Sequence, residues 1–328
     1  MKEFIKNIPA RQQKIIIIVV AALFCLTFVK DIIIKTAVTT VGSAVVGAPI
    51  KIGQFSLGLV TQKVLIKNYK LYNPPGYPKE PMVDVPEVRV NYNLGALLTG
   101  KLHFPLVVFN LREMVVVKNK DGKLNVDSLK VIEDQKTTKD QKGEAKKPAQ
   151  EMPIKIDELR LNVERVVLKD FSKDPSTVQV FEVALKDKVF KNLTSAQQMA
   201  TLIMVQAMGP TAIKSAGVYA AATVLGVGFL PAGVIGALVG KDSASAEFSQ
   251  NVNKVYDVAL KLMKEIGEVK TEDKAGGAIK GKVDGVDITL KVEMTVDKKT
   301  KATASARQMM IPKPEFAGGV IYQLKEKL

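Results

Sequence analysis

Scarcity sets the first limits. The 328 residues include one cysteine (Cys25), one histidine (His103) and no tryptophan, and aromatic residues make up only 6%. One cysteine excludes an intrachain disulfide, and one Cys with one His cannot build a zinc ribbon or any Cys/His metal site. Chemistry that needs a histidine base has a single candidate. That residue, in Lys-Leu-His-Phe-Pro, has no acid or nucleophile near it in sequence. Serines and aspartates are unpatterned, and pairs such as Asp157-Glu158 read as surface charge. No catalytic, cofactor-binding or metal-ligating residue is nominated, and an enzyme is not expected. Few aromatics and no dense block of like charge also argue against nucleic acid as a partner.

What is present is aliphatic. Hydrophobic residues reach 47%, mostly Val, Ile, Leu and Ala, with 25% charged residues and a mean hydropathy of +0.10. That composition excludes a disordered polyampholyte, and the length suits two ordinary domains. The net charge is +15, and residues 30–132 hold 14 Lys and Arg against 7 Asp and Glu. A spread basic excess suits an anionic lipid surface, and a lysine-rich solvated surface accounts for it equally well.

The stretch from Ile15 to Val29 carries no charge; Ile15, Ile16, Val19, Val20, Leu23, Leu26 and Phe28 are its main apolar positions. At about 1.5 Å per residue it falls short of a ~30 Å hydrocarbon core. The helix is therefore expected to continue through Lys30 and Asp31 to Ile34, with Lys30 snorkelling to the headgroups. Lys2, Lys6, Arg11 and Lys14 against a lone Glu3 predict a cytoplasmic N-terminus. The run is followed by Lys-Asp-Ile-Ile-Ile, with no small-x-small cleavage site, and no lipobox precedes Cys25. An uncleaved anchor is expected rather than a signal peptide.

Strand patterns follow. Ile50, Ile52, Phe55 and Leu57 form one apolar set; Val64, Ile66 and Tyr69 form another. Val83, Val85, Val88 and Val90 continue the series. A short helix over 93–99 and strands from Leu102 and Val115 complete an antiparallel meander. Residues 49–70 (PIKIGQFSLGLVTQKVLIKNYK) are echoed by 153–173 (PIKIDELRLNVERVVLKDFSK), which suggests two copies of one hairpin or two unrelated hairpins of similar pattern. Between them, residues 133–151 read as a polar linker. Ile50, Ile52, Val64, Ile66, Val88, Val90 and Val166 are candidates for an apolar groove or partner face, without a decision as to which sheet face it is.

These residues, in this order, resemble the N-terminal region of AsmA-family proteins: Gly-Ala-Pro-Ile-Lys-Ile-Gly (47–53), Val-Leu-Ile-Lys-Asn (64–68), Asn-Pro-Pro-Gly-Tyr (73–77), Pro-Glu-Val-Arg-Val (86–90), Leu-Leu-Thr-Gly-Lys-Leu (97–102) and Asp-Gly-Lys-Leu-Asn-Val-Asp-Ser-Leu (121–129). The resemblance covers about residues 15–190. It implies anchoring in a Gram-negative inner membrane, a twisted antiparallel sheet in the periplasm, and a part in outer-membrane lipid homeostasis and phospholipid transfer. Membrane lipids, phospholipid first, and other envelope proteins are the implied partners, and no active-site residue carries over. The chain is short for a family member that bridges the envelope.

The rest is less uniform. Thr194 or Ser195, with Gln197 or Gln198 at capping-box spacing, marks a helix start, and Met199, Leu202, Ile203, Val205 and Met208 form a Met-rich surface, either core or an adaptable binding face. Residues 215–240 carry no charge but are rich in Ala and Gly and contain Pro231. A hydrophobic helical hairpin, a second membrane span and a buried helix pair all fit. From Ser243 the pattern is a small αβββα module: a helix from Phe248 to Ile266, strands over 277–283, 286–296 and 301–307, and a helix from about Gly319. This part resembles a family of small, uncharacterised bacterial envelope lipoproteins through Val-Tyr-Asp-Val-Ala-Leu (255–260), Gly-Lys-Val-Asp-Gly-Val-Asp-Ile-Thr (281–289) and Ser-Ala-Arg (305–307). Arg307 reads as an anion ligand or a solvated edge-strand charge. The expected class is α+β, divided into an anchor (1–35), a β domain (36–190), a hydrophobic helical segment (191–242) and the C-terminal module (243–328).

Overall fold

The computed structural model describes residues 29–133, 154–227 and 242–328. The anchor positions Ile15, Ile16, Val19, Val20, Leu23, Leu26 and Phe28 lie outside these residues. So do Lys2, Lys6, Arg11, Lys14, the linker beyond Glu133 and the second half of 215–240. Among the described residues no helix is long and apolar enough to cross a membrane.

The chain is α+β with two sheets. The first contains β1 (Ile50–Gly58), β2 (Lys63–Tyr72), β3 (Pro81–Asn91), β4 (Leu102–Phe104), β5 (Leu106–Lys118), β6 (Ile154–Asp170) and β7 (Thr177–Leu193). β1, β2, β3 and β5 form the antiparallel series that the alternation predicts. β4 and β5 are one line interrupted at Pro105, and both pair with β6 in parallel. The sheet is therefore not wholly antiparallel. After Lys118 the chain crosses a face of the sheet instead of turning back, as parallel neighbours require.

The echoed segment also departs from expectation. Residues 50–72 do form a hairpin, turning at Gly58 with Gln62 at φ 50°. Its echo has no glycine at the corresponding place and runs on as the single 17-residue strand β6, absorbing the irregularity as register shifts around Val163.

Helix α1, residues 29–46, lies along the open edge of β1. The unpaired backbone of that edge is met by α1 side chains. Lys35 Nζ donates to Gly53 O (2.8 Å), Asp31 Oδ1 accepts from Leu57 N (3.0 Å), Lys30 Nζ donates to Leu57 O, and Ser43 Oγ accepts from Ile50 N (2.9 Å). Lys30, placed at the headgroups by the sequence reading, is thus engaged with β1. Covering an edge strand in this way blocks edge-to-edge association.

On the front of the sheet, the crossing segment and two helices pack over β5 and β6. The segment contributes a 3-10 turn (Asn125–Ser128) with Val126, Leu129 and Ile132 fully buried. Helix α3 (Ala196–Met208), preceded by the five-residue α2 (Leu94–Leu98), is capped at Ser195, whose Oγ accepts from Gln198 N (3.0 Å). Its Leu202–Met208 stretch is buried, so the Met-rich surface is core. Helix α4 (Ala216–Val224) is tied to the turn through Asp127, which accepts from Ser215 Oγ and from Gly217 N (3.0 Å). Since α4 ends at Val224, with Gly226 at φ 64°, residues 215–240 do not form one continuous spanning helix.

The second sheet runs β13 (Ile311–Pro312), β12 (Thr300–Gln308), β11 (Val286–Met294), β10 (Ala278–Val283), β9 (Glu268–Asp273), with β8 (Ser243–Phe248) also on β12. Helices α5 (Val252–Ile266) and α6 (Pro314–Lys327) share its core with Ile279, Ile288 and Leu290. The module is larger than αβββα: Phe248 belongs to a strand, β9 is an added strand, and α6 starts at Pro314 rather than Gly319. Gly319 lies mid-helix because α6 presses on β7 there. A Cβ on it would lie 1.8 Å from Val178 O, so only glycine permits the contact.

Asn125 is the polar centre of the first core. Its Nδ2 donates to Val115 O (2.9 Å) and Asn73 Oδ1 (2.6 Å), and its Oδ1 accepts from Val117 N (3.0 Å) and Val126 N (2.9 Å). Asn125→Ala strands these buried groups at about 1–3 kcal/mol each when unrelieved. A loss of about 3 kcal/mol is expected in urea unfolding, read as a lower midpoint at unchanged slope.

Candidate functional site

The front face is built from cross-strand ladders. Directly paired residues point to the same side, so Leu57, Val64, Val90, Val107, Leu159 and Phe190 form one rung. Phe55, Ile66, Val88, Phe109 and Leu161 form the next. Ile50, Leu71, Val83, Met114, Val166 and Phe181 form a third toward the other end. Between the second and third rungs the apolar alternation skips a position in each strand (Ile52 to Phe55, Ile66 to Tyr69, Val85 to Val88, Leu111 to Met114, Val163 to Val166). The skip keeps both ends on one core. Burial of the Tyr69 ring on that core pushes its phenol up to about 12.

The seven candidate groove residues divide accordingly. Val88 and Val166 are buried in this core, and Ile50, Ile66 and Val90 are half-buried against it. Val64 is half-buried on the first rung, while Ile52 is buried beside Tyr69. The face is closed over β5 and β6, where Val107, Leu111, Leu159 and Leu161 are buried, and half-open over β1–β3, where Phe55, Leu57, Val64, Ile66 and Val90 retain exposure.

A second concavity lies on the back, between the sheet and α6. This cleft, about 480 Å³, is lined by Asp84, Arg112, Glu113, Arg165, Glu182 and Tyr322, among others. Arg165 Nε donates to Glu113 Oε2 (2.7 Å), Tyr322 OH donates to Glu113 Oε1 (3.3 Å), and Arg112 pairs with Asp84. Beside it, Lys169 bridges Glu80 (2.9 Å) and Glu326 (3.5 Å). Burial pushes the Glu182 carboxyl up, and that of Tyr322 raises its phenol, with Glu113 adding to the effect. Arg165–Glu113 and Arg112–Asp84 pair within the sheet, while Tyr322–Glu113 and Lys169–Glu326 cross to α6, so the cleft is a seam joining the sheet to the C-terminal module. Sequence reasoning missed it because its members are far apart in the chain and follow no spacing.

Two further residues are corrected. His103 does have an acid partner: its Nε2 lies 2.7 Å from Asp157 Oδ2, brought there by the parallel pairing of β4 with β6. Lys155, and then His103, hold the Asp157 carboxyl below its usual range. Arg307 is neither on an edge strand nor a free anion ligand. β12 has neighbours on both sides, and Arg307 Nε donates to Asp242 Oδ2 (2.8 Å). Among the described residues no group of three or more His, Cys, Asp or Glu could hold a metal ion.

No protein-family model matches the sequence, and no curated protein or solved structure matches it.

At the end of β6 sits Asp170, 6% exposed. Burial raises its pKa, but hydrogen bonds from Ser172 Oγ (2.6 Å) and N (3.0 Å) and the charge of Lys118 outweigh this and hold it below the ordinary value. A carboxylate depressed in the fold stabilises it above the unfolded pKa of about 3.9, and that contribution is lost as pH falls through the lower folded value. Asp170→Asn should flatten the acid limb of stability against pH, measured by thermal unfolding between neutral pH and about pH 3.

Proposed function

We propose that this is a non-enzymatic, membrane-anchored protein of the bacterial inner membrane. Its periplasmic first sheet binds phospholipid acyl chain as part of envelope lipid homeostasis. The observation that carries the reading is the half-open front face over β1–β3: Phe55, Leu57, Val64, Ile66 and Val90 form a patch of two adjoining rungs without a charged side chain. An apolar patch that the fold leaves partly uncovered is a surface on which hydrocarbon displaces water favourably. At about 4.8 Å between strands, β1 to β3 spans about 10 Å. That suits part of one acyl chain held against the sheet rather than a conduit along it. The ordered AsmA-like motifs and the 15-residue uncharged run support the envelope location and the anchor.

A different observation favours a structural adaptor that binds no lipid. The β5–β6 half of the same face is closed by α3, α4 and the crossing segment, so no groove runs the width of the sheet. In that reading the C-terminal module is the docking part.

Native mass spectrometry on the full chain, extracted in mild detergent, separates the two. Phospholipid at defined stoichiometry is expected for the native chain and for Val296→Glu, whose charge falls on a fully exposed turn. It should be lost from Val64→Glu/Val90→Glu, which charges the first rung. Detergent alone at no defined stoichiometry in all three would favour the adaptor.

A further inference from the structure

One end of the first sheet is unusual in what it exposes. The β1–β2 turn puts Leu59 and Val60 into solvent, Val60 at 97%, and α2 does the same with Leu97 and Leu98, the latter at 80%. These two tips form one unit: Gln62 Oε1 accepts from Leu94 N (2.9 Å), Gln62 O accepts from Tyr92 N (3.0 Å), and Tyr92 OH donates to Gly58 O (3.1 Å). Asn93 caps α2 by accepting from Ala96 N (2.9 Å). The apolar side chains are therefore held outward on a braced support.

The first turn of α1 is bonded to the same end, through Lys30 and Asp31 on Leu57. α1 is inverted relative to an ordinary surface helix. Its three charged residues, Lys30, Asp31 and Lys35, are engaged in bonds to β1, whereas Ile32 and Ile33 are among its exposed residues. Thr36 and Thr39 turn their hydroxyls back onto the helix carbonyls of Ile32 (2.9 Å) and Lys35 (3.0 Å), which removes polarity from the surface. The uncharged run from Ile15 leads into this first turn. The two tip segments, 58–63 and 93–101, contain Lys63 and Lys101 and no Asp or Glu.

We infer that this end of the sheet is an interfacial foot. Ile32, Ile33, Leu59, Val60, Leu97 and Leu98 embed in the headgroup and upper acyl region of the bilayer, and Lys63 and Lys101 face anionic headgroups. The inference rests on the anchored reading above and adds a second, peripheral contact between the protein and the bilayer. Apolar side chains flanked by lysine are the pattern of surfaces that lie in the interface, buried about 5–10 Å deep. The foot would fix the sheet upright against the membrane, with its half-open ladder next to the lipid.

The test uses the full chain, with Cys25→Ser, in vesicles of phosphatidylcholine and phosphatidylglycerol. Single cysteines at Val60, Leu98, Val20 and Val296 carry an environment-sensitive fluorophore, and quenching by nitroxide lipid labelled high in the acyl chain is compared with quenching by aqueous iodide. Val60→Cys and Leu98→Cys should each lose roughly half their emission to the shallow nitroxide, as expected for that depth, and be protected from iodide. Val296→Cys should show the reverse. If both tips behave like Val296 while Val20→Cys is quenched by lipid, the anchor stands and the foot is overturned. Tips shielded from both quenchers are covered by protein, a partner or a second copy, which also overturns it. Iodide access at Val20 would refute the anchored reading and the foot with it.

Discussion

The arrangement of the first sheet depends on one pairing, the parallel contact of β5 with β6 from Val107↔Leu159 to Lys118↔Asp170. Parallel neighbours cannot be joined by a tight turn, so the chain leaving Lys118 must cross a face of the sheet. Its opening residues land where β3 gives out. The β3–β5 ladder ends at Val83↔Met114, leaving Val115 O and Val117 N without a strand partner on that side. The Asn125 side chain supplies the missing donor and acceptor, as a neighbouring strand would. With Asn125 fixed, Val126, Leu129 and Ile132 are committed to the front face, and Asp127 is positioned to hold the start of α4. The closure of the β5–β6 half of the ladder, and hence the confinement of any open apolar surface to β1–β3, follows from that single choice of strand direction.

Much of this was legible in the residues. The alternation gives β1, β2 and β3, and the three-residue steps between Ile52 and Phe55 or Val85 and Val88 are visible as interruptions in period two. The strands expected from Leu102 and from Val115 are instead divided at Pro105 and joined into the single strand β5. What a linear pattern does not carry is direction and partner. The echo at 153–173 shares composition with the first hairpin but lacks its turn glycine, and a strand without a turn must extend. His103 and Asp157 meet only because β4 pairs with β6 in parallel, a contact with no signature at either residue. β9 (EVKTED) is almost wholly exposed and has no apolar period to find. Gly318-Gly319 resembles a helix boundary, yet here glycine serves the approach of α6 to β7, a tertiary demand that local preference cannot anticipate.

The two ends of the first sheet differ in chemistry. At the end bearing the β6–β7 turn, the contacts are polar and matched: Lys118 and Ser172 on Asp170, Lys169 between Glu80 and Glu326, Lys173 on Asp284 of the second sheet. At the end bearing the β1–β2 turn, hydrogen bonds brace the backbone of two tips that expose Leu59, Val60, Leu97 and Leu98 beside Lys63 and Lys101. Ion pairs in a partly dehydrated seam fix orientation more than they add stability. The first end is thus suited to holding a second module in register. Among the described residues no module packs on the second end, and its tips present aliphatic side chains that water does not favour.

The same logic explains α1. An edge strand needs donors and acceptors along its open side, and α1 provides them with all of its charged side chains and a serine. Having committed its polarity to β1, the helix has only Ile, Val, Ala and Thr left for its outer side, and two of its threonines bond inward. Ridding the sheet of one reactive edge therefore creates an apolar outer surface. In water that surface would itself invite association. Against hydrocarbon it carries no such penalty, because a helix that satisfies its own backbone and hydroxyl groups is what an apolar solvent requires. Edge protection and a lipid-compatible exterior are one solution reached by the placement of Lys30, Asp31 and Lys35.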